Sequence, residues 1–198
     1  CDSAGASMGG EESSMLNAIQ GRRGVARPRP PYPTVSGLWG RPTLINSFET
    51  LANIPLIVLS GRTDTDPPPA RTKLVSVTGA VSRPGVAEVR LGTDLAEIIG
   101  GLAGGDHARL LGIHLGGPGG VCLTRSQLDT KIDFGSLRTH EANLGSGSIV
   151  VLGAEDCPVA LARFFVAFCA EESCGTCPPC RIGTTAVLNL LDRISSGE

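Results

Sequence analysis

The chain has 198 residues, is 41% apolar and carries a formal net charge of −2 at neutral pH. That apolar content can bury the core of one large or two small domains. Lys and Arg are nowhere concentrated as in a phosphate-backbone binder, so nucleic acid is not an expected partner.

The longest apolar stretch, Val159 to Cys169, is too short to cross a bilayer. No basic segment followed by an apolar one opens the chain, so neither direct membrane insertion nor secretion is expected. The seven cysteines are an odd number, and three are too close together for an ordinary disulfide framework. A reducing, cytoplasmic compartment with metal-bound thiolates fits better. The first residue is Cys, inside the Gly/Ser-rich stretch CDSAGASMGGEESS, which reads as a break in a longer polypeptide.

In chain order, EESSMLNAIQG predicts a helix with an acidic first turn and Gly21 as its stop. RRGVARPRPPYPTVSGLWGRP is too rich in Pro and Gly for a long helix and predicts an extended surface crossing. TLINSFETLANIPLIVLS places Ile45, Phe48, Leu51 and Ala52 at helical spacing, with Pro55 near the helix end. GRTDTDPPPAR is a stiff linker.

From Lys73 the texture changes to short β-type runs. KLVSVTGAV and GVAEVRL flank SRPG as a hairpin. TDLAEIIGGLAGG predicts a short helix capped by Thr93 or Asp94 and stopped by Gly100 or Gly101. LLGIHLGG and SIVVLG are further strands, and this order suggests a small β-grasp-like module with a helix on a mixed sheet. After Asp156 the chain is helical, with Pro158 at the first position and Leu161, Phe164, Phe165 and Phe168 on one face. Val187, Leu190, Leu191 and Ile194 repeat the pattern, which puts Cys174, Cys177 and Cys180 between two helices.

C-x-x-C-x-x-C is a spacing at which one tight loop reaches three corners of an iron–sulfur cubane. Gly175 lets the backbone bend close, Pro178 and Pro179 stiffen the wrap, and Arg181 would offset the negative charge and favour the reduced state. Structural zinc is the first alternative, but His107, His114 and His140 are scattered and form no second ligand pair. Unligated thiols or an exposed disulfide are the other. Cys169 falls on an apolar helix, where cysteine usually acts as a small hydrophobe, and Cys157 and Cys122 read as buried or incidental. The fourth cluster ligand is expected beyond residue 198.

ESCGTCPPCRIGT is similar to the signature of the flavin-carrying, NADH-binding subunit of respiratory complex I. Related subunits occur in NAD-dependent formate dehydrogenases and NAD-reducing hydrogenases. GRPTLINSFETLANIP and GGEESSMLNAIQGRRGVARPRPPYP resemble two further stretches of that family. VTGAVSRPGVAEVRLGTDLAEII and LGGPGG resemble its β-grasp SLBB domain. The resemblance implies an α+β chain: residues 1–60 as the end of an α/β flavin domain, 61–72 a linker, 73–153 the SLBB domain, and 154–198 an incomplete helical 4Fe-4S domain. It implies an NAD(H)-dependent oxidoreductase component that relays electrons between NAD(H), FMN and a 4Fe-4S cluster. The implied partners are a thioredoxin-like 2Fe-2S subunit and a multi-cluster subunit, in a cytoplasmic complex, either free or on the cytoplasmic side of a membrane-bound one.

By position, Gly10, Glu11 and Glu12 match the segment lining the flavin and nicotinamide pocket. Asn46 and Ser47 stand at an Asn-Asn pair near FMN, and Cys174, Cys177 and Cys180 match three of four cluster ligands. A carboxylate pair at a helix start can accept from ribose hydroxyls, although Glu-Glu in a first turn is also a common solvated cap. No residue matches a side-chain catalyst. Ser7 stands where the family usually has an aromatic residue and Ser47 where it has the second Asn; the linker before Lys73 is shorter, and the glycine-rich phosphate loop is absent. The rival expectation is a non-catalytic docking module whose cysteines hold a structural metal or nothing.

Overall fold

The computed structural model describes residues 10–60 and 72–198. Cys1, Ser7 and nearly all of the expected linker lie outside the described residues. The chain is a mixed α/β protein that divides into two compact units, Cys1–Pro67 with Ala167–Asn189 and Pro68–Val166 with Leu190–Glu198.

In the first unit, α1 spans Glu12–Ile19 and is capped by Glu11, whose carboxylate accepts the Ser14 N–H at 2.7 Å. The turn after Gln20 passes through Gly21 at φ +72°, the left-handed stop expected from the sequence. Leu16 is buried, but so are Ser13, Ser14 and Asn17, so the inward face of α1 is largely polar. Its partner is the crossing segment. Arg22 N–H donates to the Asn17 carbonyl at 2.8 Å, Asn17 Nδ2 donates to the Val25 carbonyl at 2.8 Å, and Arg27 N–H donates to Ser13 Oγ at 2.9 Å. Residues 22–27 thus form a strap bonded along α1, a backbone whose polar groups are met by side chains instead of a ladder.

Helix α2 spans Phe48–Leu59, with Ser47 Oγ accepting the Thr50 N–H at 3.1 Å as its cap. Pro55 falls inside it, four residues short of the end, where the sequence placed it near the terminus. The carbonyl that Pro55 leaves without a donor belongs to Leu51, which is exposed, so water can satisfy it. No residue of α2 is buried.

The second unit is built on a five-stranded sheet in the order β2-β1-β5-β3-β4. The strands are β1 Thr72–Gly79, β2 Gly85–Arg90, β3 Leu110–Leu115, β4 Val121–Thr124 and β5 Ser148–Gly153. β1 pairs parallel with β5, and the other pairings are antiparallel. Period-2 alternation puts Val75, Val77, Val89, Ile113, Leu115, Leu123, Ile149 and Val151 on one face, all buried in the core with Leu95, Ile98, Ile99 and Ile132.

The predicted hairpin is present, with Val75 opposite Ala87. The predicted short helix differs: a π-helical turn occupies Glu97–Leu102, passes through Gly100 and Gly101, and closes with Ala103 N–H donating to the Ile98 carbonyl. Gly100 does not stop it. A Cβ there would lie 2.2 Å from His107 Nε2, so the glycine makes room for the imidazole. Two short elements carried no legible pattern, β4 and the five-residue α3 at Phe134–Arg138.

Helices α4, Pro158–Glu171, and α5, Pro178–Ser196, follow. Pro158 opens α4 as predicted. On the sheet face away from the core, His114 is buried and stacks on Phe165 of α4, with centroids 4.4 Å apart at 29°. Among the described residues no helix is long and apolar enough to cross a membrane.

Candidate metal centre

The cysteine segment lies in the first unit and is shorter than a loop containing all three thiols. Cys174 and Cys177 precede α5, but Cys180 is inside its first turn, because Pro178 and Pro179 occupy the first two helical positions, where a missing N–H costs nothing. Arg181 N–H closes that turn on the Cys177 carbonyl at 2.9 Å. Gly175 adopts φ +77°, the conformation that reverses the chain between Cys174 and Cys177.

Hydroxyl groups attend the sulfurs. Cys174 Sγ lies 3.3 Å from Thr176 Oγ1, and Ser173 Oγ lies 3.3 Å from Cys180 Sγ. The Thr176 hydroxyl and then its backbone N–H hold the Cys174 thiol below its ordinary range; the Ala26 amide and its own amide add to that against a burial effect of opposite sign. Ala26 belongs to the strap on α1. The strap's Arg23 also donates, through Nη2, to the Cys174 carbonyl at 3.3 Å, and Arg181 Nη1 donates to the Gly175 carbonyl. Two guanidinium groups therefore sit on consecutive carbonyls of the cysteine segment.

The donor set suits a sulfur-ligated cluster. Cys174 is half-buried, Cys177 and Cys180 are exposed, and all three are free thiols. Around them are N–H, hydroxyl and guanidinium donors, which favour thiolate over thiol. Among the described residues no group of three or more His, Cys, Asp or Glu side chains converges tightly enough for a single ion. Cys122 and Cys157 are exposed, which leaves the incidental of the two readings the sequence offered and not the buried one, and Cys169 is half-buried within α4.

The other predicted site residues have structural partners. Glu11 caps α1, accepts from Ser13 Oγ at 2.6 Å and pairs with Arg29 Nη2 at 2.7 Å; Glu12 pairs with Arg29 Nη1 at 2.8 Å. Burial alone would push the Glu11 carboxyl up, but the bonds from Ser13, Ser14 and Arg29 outweigh it and hold it below its ordinary value. Gly10 and Asn46 are exposed, and Ser47 serves as the α2 cap. Among the described residues no hydrogen bond or ion pair joins Asn46 or Ser47 to the Glu11–Glu12–Arg29 group. The residues that pattern reading missed are Arg23, Arg27 and Arg29, and the signal was available: RRGVARPR holds four arginines and no acid. A cavity of about 520 Å³ in the second unit, lined by Gly79, Asp106, Arg109 and Asp156 among others, includes none of the cysteines.

Residues 160–198 match the model of the NADH-ubiquinone oxidoreductase-F iron-sulfur binding region. Over 98% of its length the chain is 38% identical to the NADP-reducing hydrogenase subunit HndC of Solidesulfovibrio fructosivorans, covering 41% of that protein. It is 36% identical to the F component of the NADH-quinone oxidoreductase of Escherichia coli, again over 98% of the chain and covering 45% of the relative. A crystal structure of an NAD+-reducing nickel–iron hydrogenase in the H2-reduced state superposes with a TM-score of 0.81 at 32% identity, over 96% of this chain and 33% of the other. The chain spans less than half the length of these relatives.

Proposed function

We propose that the chain is a counterpart of the NADH-quinone oxidoreductase F components and NAD(P)-reducing hydrogenase subunits it is similar to, and that it relays electrons within a multisubunit oxidoreductase, between NAD(H) with its flavin and a 4Fe-4S cluster. Cys174, Cys177 and Cys180 supply three thiolates, and the fourth donor is none of these. A 4Fe-4S cluster takes up and releases one electron at a time, which is the chemistry a relay between a hydride carrier and single-electron partners requires.

The chain's own residues have defined tasks. The three thiolates hold the cluster, and Ser173 and Thr176 hydroxyls donate to thiolate sulfur. Arg181 offsets negative charge at the start of α5, whose N-terminus favours anionic sulfur. Gly10, Glu11 and Glu12 edge the nucleotide pocket, with Arg29 fixing the carboxylates, and Asn46 and Ser47 stand near FMN. Residues 1–60 are the end of the flavin domain, 73–153 a β-grasp SLBB domain and 154–198 the cluster domain. The five-stranded order with a parallel β1–β5 pair supports the β-grasp reading. Other redox subunits dock on the assembly.

The observation that carries this reading is that three free thiols stand at two-residue spacing around the start of α5, with hydroxyls against Cys174 and Cys180 and two guanidinium groups on the carbonyls of Cys174 and Gly175. Anaerobic purification of the assembled complex, followed by iron and acid-labile sulfide analysis, tests it. Iron and sulfide in equal amounts, with loss of the cluster's EPR signal in Cys174→Ser, are expected. Zinc without sulfide in a complex with full partners would overturn it.

A further inference from the structure

Arg23 is separated from Cys174 by 151 positions in the sequence, yet its guanidinium donates to the Cys174 carbonyl at 3.3 Å. The backbone that presents Arg23 is fixed on both sides. Arg22 N–H is bonded to the Asn17 carbonyl, the Val25 carbonyl receives Asn17 Nδ2, and Val25 N–H closes a tight turn on the Arg23 carbonyl at 2.9 Å. Gly24 seats the strap against the helix so closely that a Cβ there would lie 3.2 Å from Ser14 Oγ. The direction from which Arg23 reaches the cysteine segment is therefore set by the strap's bonds to α1.

We propose that Arg23 is a positioning residue for the cluster segment: it holds the Cys174 carbonyl, orients the Cys174 thiolate and, with Arg181, raises the reduction potential of the bound cluster. The proposal rests on the electron-relay reading above. Two fixed positive charges beside a ligand segment favour the more negative, reduced state, and donors to ligand sulfur act in the same direction. Because Arg23 is exposed, its charge acts through screened solvent, so the carbonyl contact carries most of its specificity.

The test is an EPR-monitored redox titration of the assembled complex carrying Arg23→Gln, Arg23→Lys or Arg22→Gln. Arg22 loses the same charge one residue away, and among the described residues its guanidinium makes no hydrogen bond to the cysteine segment. In Arg23→Gln the reduced-to-oxidised ratio at fixed potential should fall about threefold to tenfold, tenfold being ~59 mV for a one-electron couple. Arg23→Lys should restore most of the shift, and Arg22→Gln should give less than half of it. If Arg23→Gln empties the site while Arg23→Lys refills it with iron and sulfide, the positioning role also stands. Equal loss in both variants overturns it in favour of a purely structural arginine. An Arg23→Gln potential equal to that of a loaded wild type, or equal shifts in Arg22→Gln and Arg23→Gln, overturns this proposal alone. A wild-type complex with full partners and no iron or sulfide overturns the relay reading itself.

Discussion

Replacing Asn17 with Ala removes the side chain that binds the strap to α1. Asn17 is 5% exposed; its Nδ2 donates to the Val25 carbonyl at 2.8 Å and its Oδ1 accepts Arg27 Nε at 2.7 Å. A neutral hydrogen bond to a half-buried carbonyl contributes about 1 kcal/mol, and one from a guanidinium about 2 kcal/mol. Alanine is the better helix former by about 0.6 kcal/mol, which offsets part of the loss. The expected net cost is about 2 kcal/mol against local opening of the strap, or roughly 30-fold faster amide exchange where opening limits exchange. The amides to follow are those of Arg22 and Arg27, bonded to the Asn17 carbonyl and to Ser13 Oγ. Asn17→Asp keeps the acceptor for Arg27 and should lose less protection. An Asn17→Ala protein whose Arg22 and Arg27 amides exchange less than threefold faster would refute the claim that the polar face of α1 holds the strap.

Three further outcomes concern the second unit. Burial lowers the His114 pKa from its ordinary 6.5, so the unfolded chain binds the proton more readily than the folded one. Stability is then full above the ordinary value and falls as the pH drops below it, by at most about 1.4 kcal/mol per pH unit for one proton. His114→Phe, which keeps the stack on Phe165 and removes a buried Nδ1 that has no partner, should flatten that slope in urea unfolding; an unchanged slope assigns it to another group. Gly79→Ala should cost about 3 kcal/mol in the same unfolding assay, since Gly79 sits at φ +91° and a Cβ would lie 2.1 Å from the Val151 carbonyl oxygen; a loss below about 1 kcal/mol would refute the close approach. Asp133→Ala removes the cap that accepts the Gly135 and Ser136 N–H groups at 2.8 Å and should cost about 1 kcal/mol near neutral pH. The Ser136 N–H, then its hydroxyl, holds the Asp133 carboxyl below its ordinary 3.8, so the cap's contribution exists above that value and is lost as pH falls through the lower one; an equal Asp133→Ala cost at pH 7 and at pH 2.5 would contradict this.

What the sequence makes legible are features decided by short-range periodicity. Val75, Val77 and Val89 alternate with polar neighbours, and SRPG supplies the turn, so β1 and β2 could be placed in register with no knowledge of their surroundings. Pro158 and the phenylalanines after it give α4 in the same way. What stays hidden depends on contacts distant in the chain. Gly100 has the signature of a helix stop, and only the His107 imidazole lying against it explains why the turn runs on. Helix α1 has an ordinary amphipathic pattern, and nothing local tells that Ser13 and Asn17, not an apolar stripe, face inward. Cys180 enters α5 instead of the preceding loop because two consecutive prolines suit the first helical turn better than the wrap the spacing suggested.

The candidate site divides along the same line. Its candidate ligands are local: three cysteines at two-residue spacing announce themselves, and Gly175 between them shows where the chain reverses. Its electrostatics are not local, because Arg23, which donates to the Cys174 carbonyl, comes from residues 22–29, which by composition alone are part of a proline-rich crossing. Within residues 22–29 three of the four arginines have separate stations: Arg29 between Glu11 and Glu12, Arg27 on Asn17, Arg23 on Cys174. The two carboxylates that resemble a nucleotide edge are therefore already charge-paired to the same short segment whose Arg23 reaches the Cys174 carbonyl.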